Sequence, residues 1–227
     1  MTKNTKHYNL FLLFFFTILI VDLIIGSSSY DLYRRISKPL IIGSLLIYFY
    51  YNGQDLPKKV FRPVLIALFF SVVGDTALLY ENVSPHFFTI GLGAFLLAHV
   101  SYSVAFAKYW NKKNHAVFWL ILILVIIYGI GLFYALKDNL GPLIIPVVIY
   151  ILVILSMFIT ALKRQDKVNR KSFYFVLIGA LLFMISDSVL AIDKFLIEVP
   201  LSLIIIMSTY AFAQLAIVFG ILKHNKE

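Results

Sequence analysis

The chain contains no cysteine, which excludes disulfide cross-links and thiolate metal sites. Charge is scarce too: Asp, Glu, Lys and Arg make up 14% of its 227 residues, against 61% hydrophobic ones. A water-soluble domain could not cover its surface with so few charges, so the composition predicts an all-α integral membrane protein. The five histidines show no metal-ligand spacing, and no nucleotide or flavin signature is present, so neither a metal nor a cofactor is expected. Acids are outnumbered, eleven against twenty bases, for a net charge of +9. Those bases lie in short runs between apolar segments and not along one face. They read as membrane topology signals, with the bilayer as partner and no nucleic acid.

Eight apolar segments approach the length of about twenty residues that a spanning helix needs: 8–25, 36–51, 61–80, 87–110, 115–136, 140–162, 172–192 and 199–222. The first carries Asp22 and lacks a clear small-x-small cleavage site, so it reads as a helix and not as a signal peptide. The short loops leave no room for a soluble module, which predicts one eight-helix transmembrane domain over residues 1–227. Alternate loops separate the bases: Lys3, Lys6, Lys58, Lys59, Arg62, Lys108, Lys112, Lys113, Lys163, Arg164, Lys167, Arg170, Lys171, Lys223 and Lys226 fall on one side. Arg34, Arg35, Lys38, Lys137 and Lys194 fall on the other. The richer side is expected to be cytoplasmic, which places both ends of the chain, including Glu227, inside the cell (inner) membrane. Tyr30, Tyr33, Tyr48, Tyr51, Tyr80, Trp110 and Tyr134 fall near segment ends, as interfacial anchors do.

Two acids interrupt the apolar text. Asp75 lies in Ser71-Val72-Val73-Gly74-Asp75-Thr76-Ala77-Leu78, and Asp187 lies in Ser186-Asp187-Ser188-Val189-Leu190. An Asp at the centre of a spanning helix costs about 2.5 to 3.5 kcal/mol on insertion scales, so it faces a protein interior or a wet cavity. Superposed at an offset of 112 residues, the two acids bring Leu65 and Ile66 onto Leu177 and Ile178, Gly74 onto Ser186, Thr76 onto Ser188, and Leu78 onto Leu190. With a loop gap, Pro39-Leu40-Ile41-Ile42 also matches Pro142-Leu143-Ile144-Ile145. These matches suggest a four-plus-four arrangement of parallel repeats, with the two acids facing each other across its axis.

Further polar residues share helix faces: His99, Tyr102 and Ser103 on segment four, and Tyr210 and Gln214 on segment eight. At about 1.5 Å per residue, both acids sit roughly 8 to 10 Å below the extracytoplasmic boundary, with Tyr210 and His99 deeper as a cavity floor. Lys38, just before Pro39, reads as a cation in the first turn of segment two, at the positive end of a helix dipole, where a lipid phosphate would fit. His99, Tyr102, Tyr210 and Gln214 fit interhelical hydrogen bonding equally. Arg34, Arg35 and Lys38 fit solvated interfacial charge. Asp22 reads as structural or solvated.

At these positions the chain resembles the YhhN-like lysoplasmalogenase family of eight-helix membrane proteins. The resemblance rests on Lys38-Pro39-Leu40, on Gly74-Asp75 with Leu78, on Gly91-Leu92-Gly93-Ala94-Phe95-Leu96-Leu97-Ala98-His99 leading to Tyr102, on Gly179-Ala180-Leu181-Leu182-Phe183 with Ser186-Asp187-Ser188, and on Tyr210 with Gln214. It departs at Ser101, where a bulkier residue is expected. The resemblance implies hydrolysis of the vinyl-ether bond of a lysoplasmalogen, with Asp75 and Asp187 as the catalytic pair; Lys38, His99, Tyr102, Tyr210, Gln214 and Ser186 are the residues expected around the substrate. The residue chemistry is compatible with that implication. A vinyl ether is opened by protonating its outer alkene carbon, and two carboxyls sharing one proton would supply both an acid and an anion. The rival expectation is a proton-coupled or small-solute transporter, in which the same aspartates form a proton relay.

Overall fold

The computed structural model describes residues 3–27, 31–113 and 116–223. Tyr30, His115, Lys226 and Glu227, and the side chains of Lys3 and Lys6, fall outside what it describes. The described residues form eight α-helices and no strand: α1 (Lys3–Gly26), α2 (Asp31–Asn52), α3 (Lys58–Leu78), α4 (Pro85–Ala107), α5 (Ala116–Leu136), α6 (Ile144–Leu162), α7 (Arg170–Phe195) and α8 (Ser202–Leu222). Two short 3-10 turns, Lys137–Asn139 and Gly141–Leu143, join α5 to α6. Seven of the helices are long and apolar enough to cross a membrane, and the chain is a polytopic membrane protein. The eighth, α2, has the length but spends its first turns on Arg34, Arg35 and Lys38.

Local chemistry sets the starts of α4 and α7. Ser84 caps α4 by accepting from the His86 amide, with Pro85 in the first helical position, where its missing N–H costs nothing. Asn169 caps α7 by accepting from the Ser172 amide at 2.7 Å. The start of α2 differs from the expectation. It begins at Asp31, so Pro39 lies inside the helix and Lys38 two turns from its N-terminus. Lys38 therefore gains nothing from the helix dipole, whose effect falls off within the first turn.

The closest packing joins α3 to α4 and α7 to α8. Small residues permit it. A Cβ on Gly74 would lie 2.7 Å from the Phe95 ring, and one on Gly179 would lie 2.8 Å from the Ala213 carbonyl of α8. In contrast, α5 leaves Val117, Leu120, Ile123, Leu124, Ile127 and Ile130 exposed, as a lipid-facing helix does. The order of neighbours recurs in the two halves. Contacts α1–α2, α2–α3 and α3–α4 are matched by α5–α6, α6–α7 and α7–α8, and α2 touches α8 as α6 touches α4.

Candidate active site

Asp75 and Asp187 each occupy the interior, with different exposure. The Asp75 residue is 1% exposed, whereas the Asp187 side chain keeps 13%. Tyr210 donates to Asp75 Oδ2 at 2.8 Å. On the other side, Asp187 Oδ2 lies 2.9 Å from His99 Nε2 and accepts a short hydrogen bond from the Tyr150 hydroxyl. His99 Nε2 is also 3.0 Å from that hydroxyl, while its Nδ1 is buried and has no hydrogen-bond partner.

The two carboxyls are held by separate sets of partners. Aromatic rings lie between their partners. The Phe183 ring packs edge-on to both His99 and Tyr210, with centroids 4.5 and 5.3 Å away. Phe95 packs edge-on to Tyr210 at 5.7 Å and rests on Gly74 beside Asp75. Tyr210 and His99 are therefore hydrogen-bond partners of the acids and not a floor beneath them.

Asp187 lines a pocket, open in part to the outside, between α4, α5, α6 and α7. Its walls are apolar, with Phe88, Phe95, Leu132, Ile151 and Phe195 among them, and four side chains bring polar atoms: Tyr128, Tyr150, Asp187 and Ser188. Asp75 is not on that wall. A second, polar recess of about 550 Å³ holds Arg34, Lys38, Glu81 and Asn82 and shares Leu78 and Leu190 with the apolar pocket. Here Arg34 lies 3.6 Å from Asp22, which also accepts from Ser37 at 2.6 Å, so Asp22 is structural and fully buried rather than solvated. Glu81 pairs with Lys194 at 3.2 Å. Lys38 feels the charges of Asp75, Arg34, Asp22 and Glu81, yet makes no hydrogen bond or ion pair with a described residue.

The remaining candidates are structural in their contacts. Tyr102 donates to Gln214 Oε1 at 2.5 Å, and Gln214 donates to Ser71 Oγ at 2.8 Å, a fully buried tie between α4, α8 and α3. Ser186 donates to the Ile206 carbonyl at 3.0 Å, which joins α7 to α8. None of Tyr102, Gln214 and Ser186 lines the apolar pocket. Tyr128, Tyr150 and Glu81, by contrast, were not anticipated from sequence, because a Tyr in apolar text and a Glu in a loop carry no local signature.

Residues 33–221 match the model of the YhhN family. The chain belongs to that family. Its YhhN-family text is similar to the human lysoplasmalogenase TMEM86B, 32% identical over 157 residues that cover 69% of this chain and 62% of the human protein. It is 29% identical over 166 residues to lysoplasmalogenase TMEM86A of Bos taurus, with 72% and 66% covered. Mouse lysoplasmalogenase TMEM86B is 30% identical over 223 residues, with 87% of this chain and 91% of the mouse protein covered. The chain thus spans just under two thirds of the human and bovine relatives and nearly the whole of the mouse one. No solved structure matches it.

Proposed function

We propose that this YhhN-family protein is a lysoplasmalogenase-like hydrolase, which cleaves the vinyl-ether bond of a 1-alkenyl-glycerophosphoethanolamine or -choline lysolipid to a fatty aldehyde and a glycerophospho-base. The observation that carries the reading is Asp187. It is a carboxyl on the wall of an apolar pocket, with Oδ2 held by Tyr150 and His99 and no donor on Oδ1. A carboxyl so placed can serve as a general acid toward a bond held in the pocket, because the two donors on Oδ2 stabilise the carboxylate that proton delivery leaves behind. The names of the three relatives support the same chemistry.

The steps balance without an oxidant or reductant. Asp187 protonates the outer alkene carbon, and the ether-bearing carbon becomes an oxocarbenium ion. Water adds there and returns a proton to Asp187. The hemiacetal then collapses into aldehyde and glycerol hydroxyl. Asp75, the other member of the aspartate pair, is held by Tyr210, whose ring packs edge-on to Phe95 of the pocket wall, and acts from behind that wall. The recess at Arg34, Lys38, Glu81 and Asn82 receives the head group, with Lys38 on the phosphate. The whole works as one eight-helix domain in the cell (inner) membrane, both ends cytoplasmic, with the acids toward the outer face.

Purified protein in proteoliposomes tests this reading. Release of fatty aldehyde from a lysoplasmalogen without an ion gradient is the expected result. Solute or proton flux without aldehyde would replace it with transport.

A further inference from the structure

Among the four polar side chains of the apolar pocket, Asp187 and Tyr150 are occupied with each other. The remaining two, Tyr128 and Ser188, form a hydrogen-bonded pair of their own. The direction of that bond can be read. The Ser188 hydroxyl donates to the Met184 carbonyl at 2.7 Å, so its proton is committed and it must accept from Tyr128. The Tyr128 oxygen then keeps acceptor lone pairs with no partner among the described residues. Tyr128 is itself 37% exposed, and it lines a pocket whose other polar side chains, Tyr150 and Asp187, are already paired with each other.

Tyr128 is also out of character for its helix. The text of α5 is Ala, Val, Leu, Ile, Gly and Phe but for Trp119 and the tyrosines, and its outer face is lipid-facing. A hydroxyl on the pocket side of such a helix meets a requirement of the pocket rather than of the bilayer. Its place along α7 narrows that requirement. Ser188 follows Asp187 by one residue and precedes Leu190, which the pocket shares with the polar recess. Along the axis of α7, Ser188 thus lies one residue from the acid in the direction of Leu190, a rise of about 1.5 Å.

We infer that the Tyr128–Ser188 pair is the specificity element that reads the free hydroxyl on the middle glycerol carbon, accepting its proton at Tyr128 Oη. This rests on the hydrolase reading of the same pocket. With the vinyl ether at Asp187 and the phosphate in the recess, the middle glycerol carbon lies between them, beside this pair. A free hydroxyl donates to Tyr128. An esterified or methylated oxygen cannot donate, and leaves the tyrosine lone pairs unmet.

The test uses full-length protein and two lysolipids that differ only at that carbon, one with a free hydroxyl and one with a methyl ether. The wild type is expected to favour the free hydroxyl by about tenfold in kcat/KM, the worth of one hydrogen bond. Tyr128→Phe keeps the ring and should lower kcat/KM for the hydroxyl substrate by about that factor, chiefly through KM, without lowering it for the methyl ether. Ser188→Ala, which removes the acceptor that orients Tyr128, should shift the ratio in the same direction. Equal losses on both substrates would overturn the inference and give Tyr128 a role in holding the attacking water. A second arm measures binding of the saturated 1-alkyl forms of both lipids, which have no bond to cleave. There, a wild-type preference that Tyr128→Phe erases supports the inference, and no preference overturns it, whether or not the protein turns over a vinyl ether.

Discussion

Tyr210 of α8 donates a 2.8 Å hydrogen bond to Asp75 of α3, across 135 residues of chain. Asp187 of α7 is held in turn from α4, by His99 at 2.9 Å. Each acid is thus held by the last helix of the half to which it does not belong. The helix preceding each acid also contributes, with Lys38 of α2 in the field of Asp75 and Tyr150 of α6 bonded to Asp187. This exchange follows the same order in both halves, as the helix neighbours do.

The unequal settings of the two acids predict unequal losses. Asp187→Asn removes the proton donor and should lower kcat by about a hundred- to ten-thousand-fold. Asp75→Asn removes a buried carboxyl that is off the pocket wall and should lower kcat by about ten- to a hundred-fold, with KM little changed. Steady-state kinetics on variants of matched melting temperature check this. An equal and complete loss at both positions would place both carboxyls in the chemical step.

Tyr150 makes its contribution through Asp187. Tyr150→Phe keeps the ring against His99 and removes one of the two donors on Oδ2. A fall in kcat of about tenfold at constant KM is expected, since the lost bond matters most once the proton has left. A change confined to KM would make Tyr150 a wall residue and nothing more.

Lys38 is the cation of the recess that no described acid pairs directly. Lys38→Ala should raise KM by about tenfold or more and leave kcat nearly unaltered, as the loss of a charged contact made equally in ground and transition states does. An unchanged KM would leave Lys38 an interfacial anchor.

The α7–α8 seam gives a prediction about stability alone. A methyl at Gly179 would press on the Ala213 carbonyl and on the Ile217 backbone nitrogen, 2.8 and 3.0 Å away, neither of which can turn aside. Gly179→Ala should destabilise the protein by about 1 to 3 kcal/mol. A thermal unfolding series in detergent reads it, with Gly131→Ala, where nothing lies within 4 Å, as the tolerant control.

The sequence made legible what depends on composition and period. Seven apolar helices stand where the hydrophobic runs put them, and the two intramembrane acids are visible because a charge in such text is costly. Placement across helices was not legible. Pro39 has the form of a helix start, but the chain before it is already helical from Asp31, so Lys38 lies further along α2 than its neighbour implied. Proton sharing between Asp75 and Asp187 followed from matched depth and from the chemistry of a vinyl ether, and neither carries anything about the Phe183 ring that packs against both Tyr210 and His99. Tyr150 looked like one aromatic among many. Its signal was distance in sequence: it follows Lys38 by the same 112 residues that separate the aspartates.

Delivery of a proton to carbon is what distinguishes vinyl-ether cleavage from ester or phosphodiester hydrolysis, and heavy water reports it directly. Purified protein is incubated briefly with a lysoplasmalogen in heavy water, the aldehyde is trapped at once by reduction, and its mass is compared with that from Asp187→Asn and from a control for spontaneous exchange. One enzyme-dependent deuterium on the carbon next to the former aldehyde group is the predicted result. Aldehyde without that deuterium, or release of a fatty acid in its place, would contradict proton delivery by Asp187.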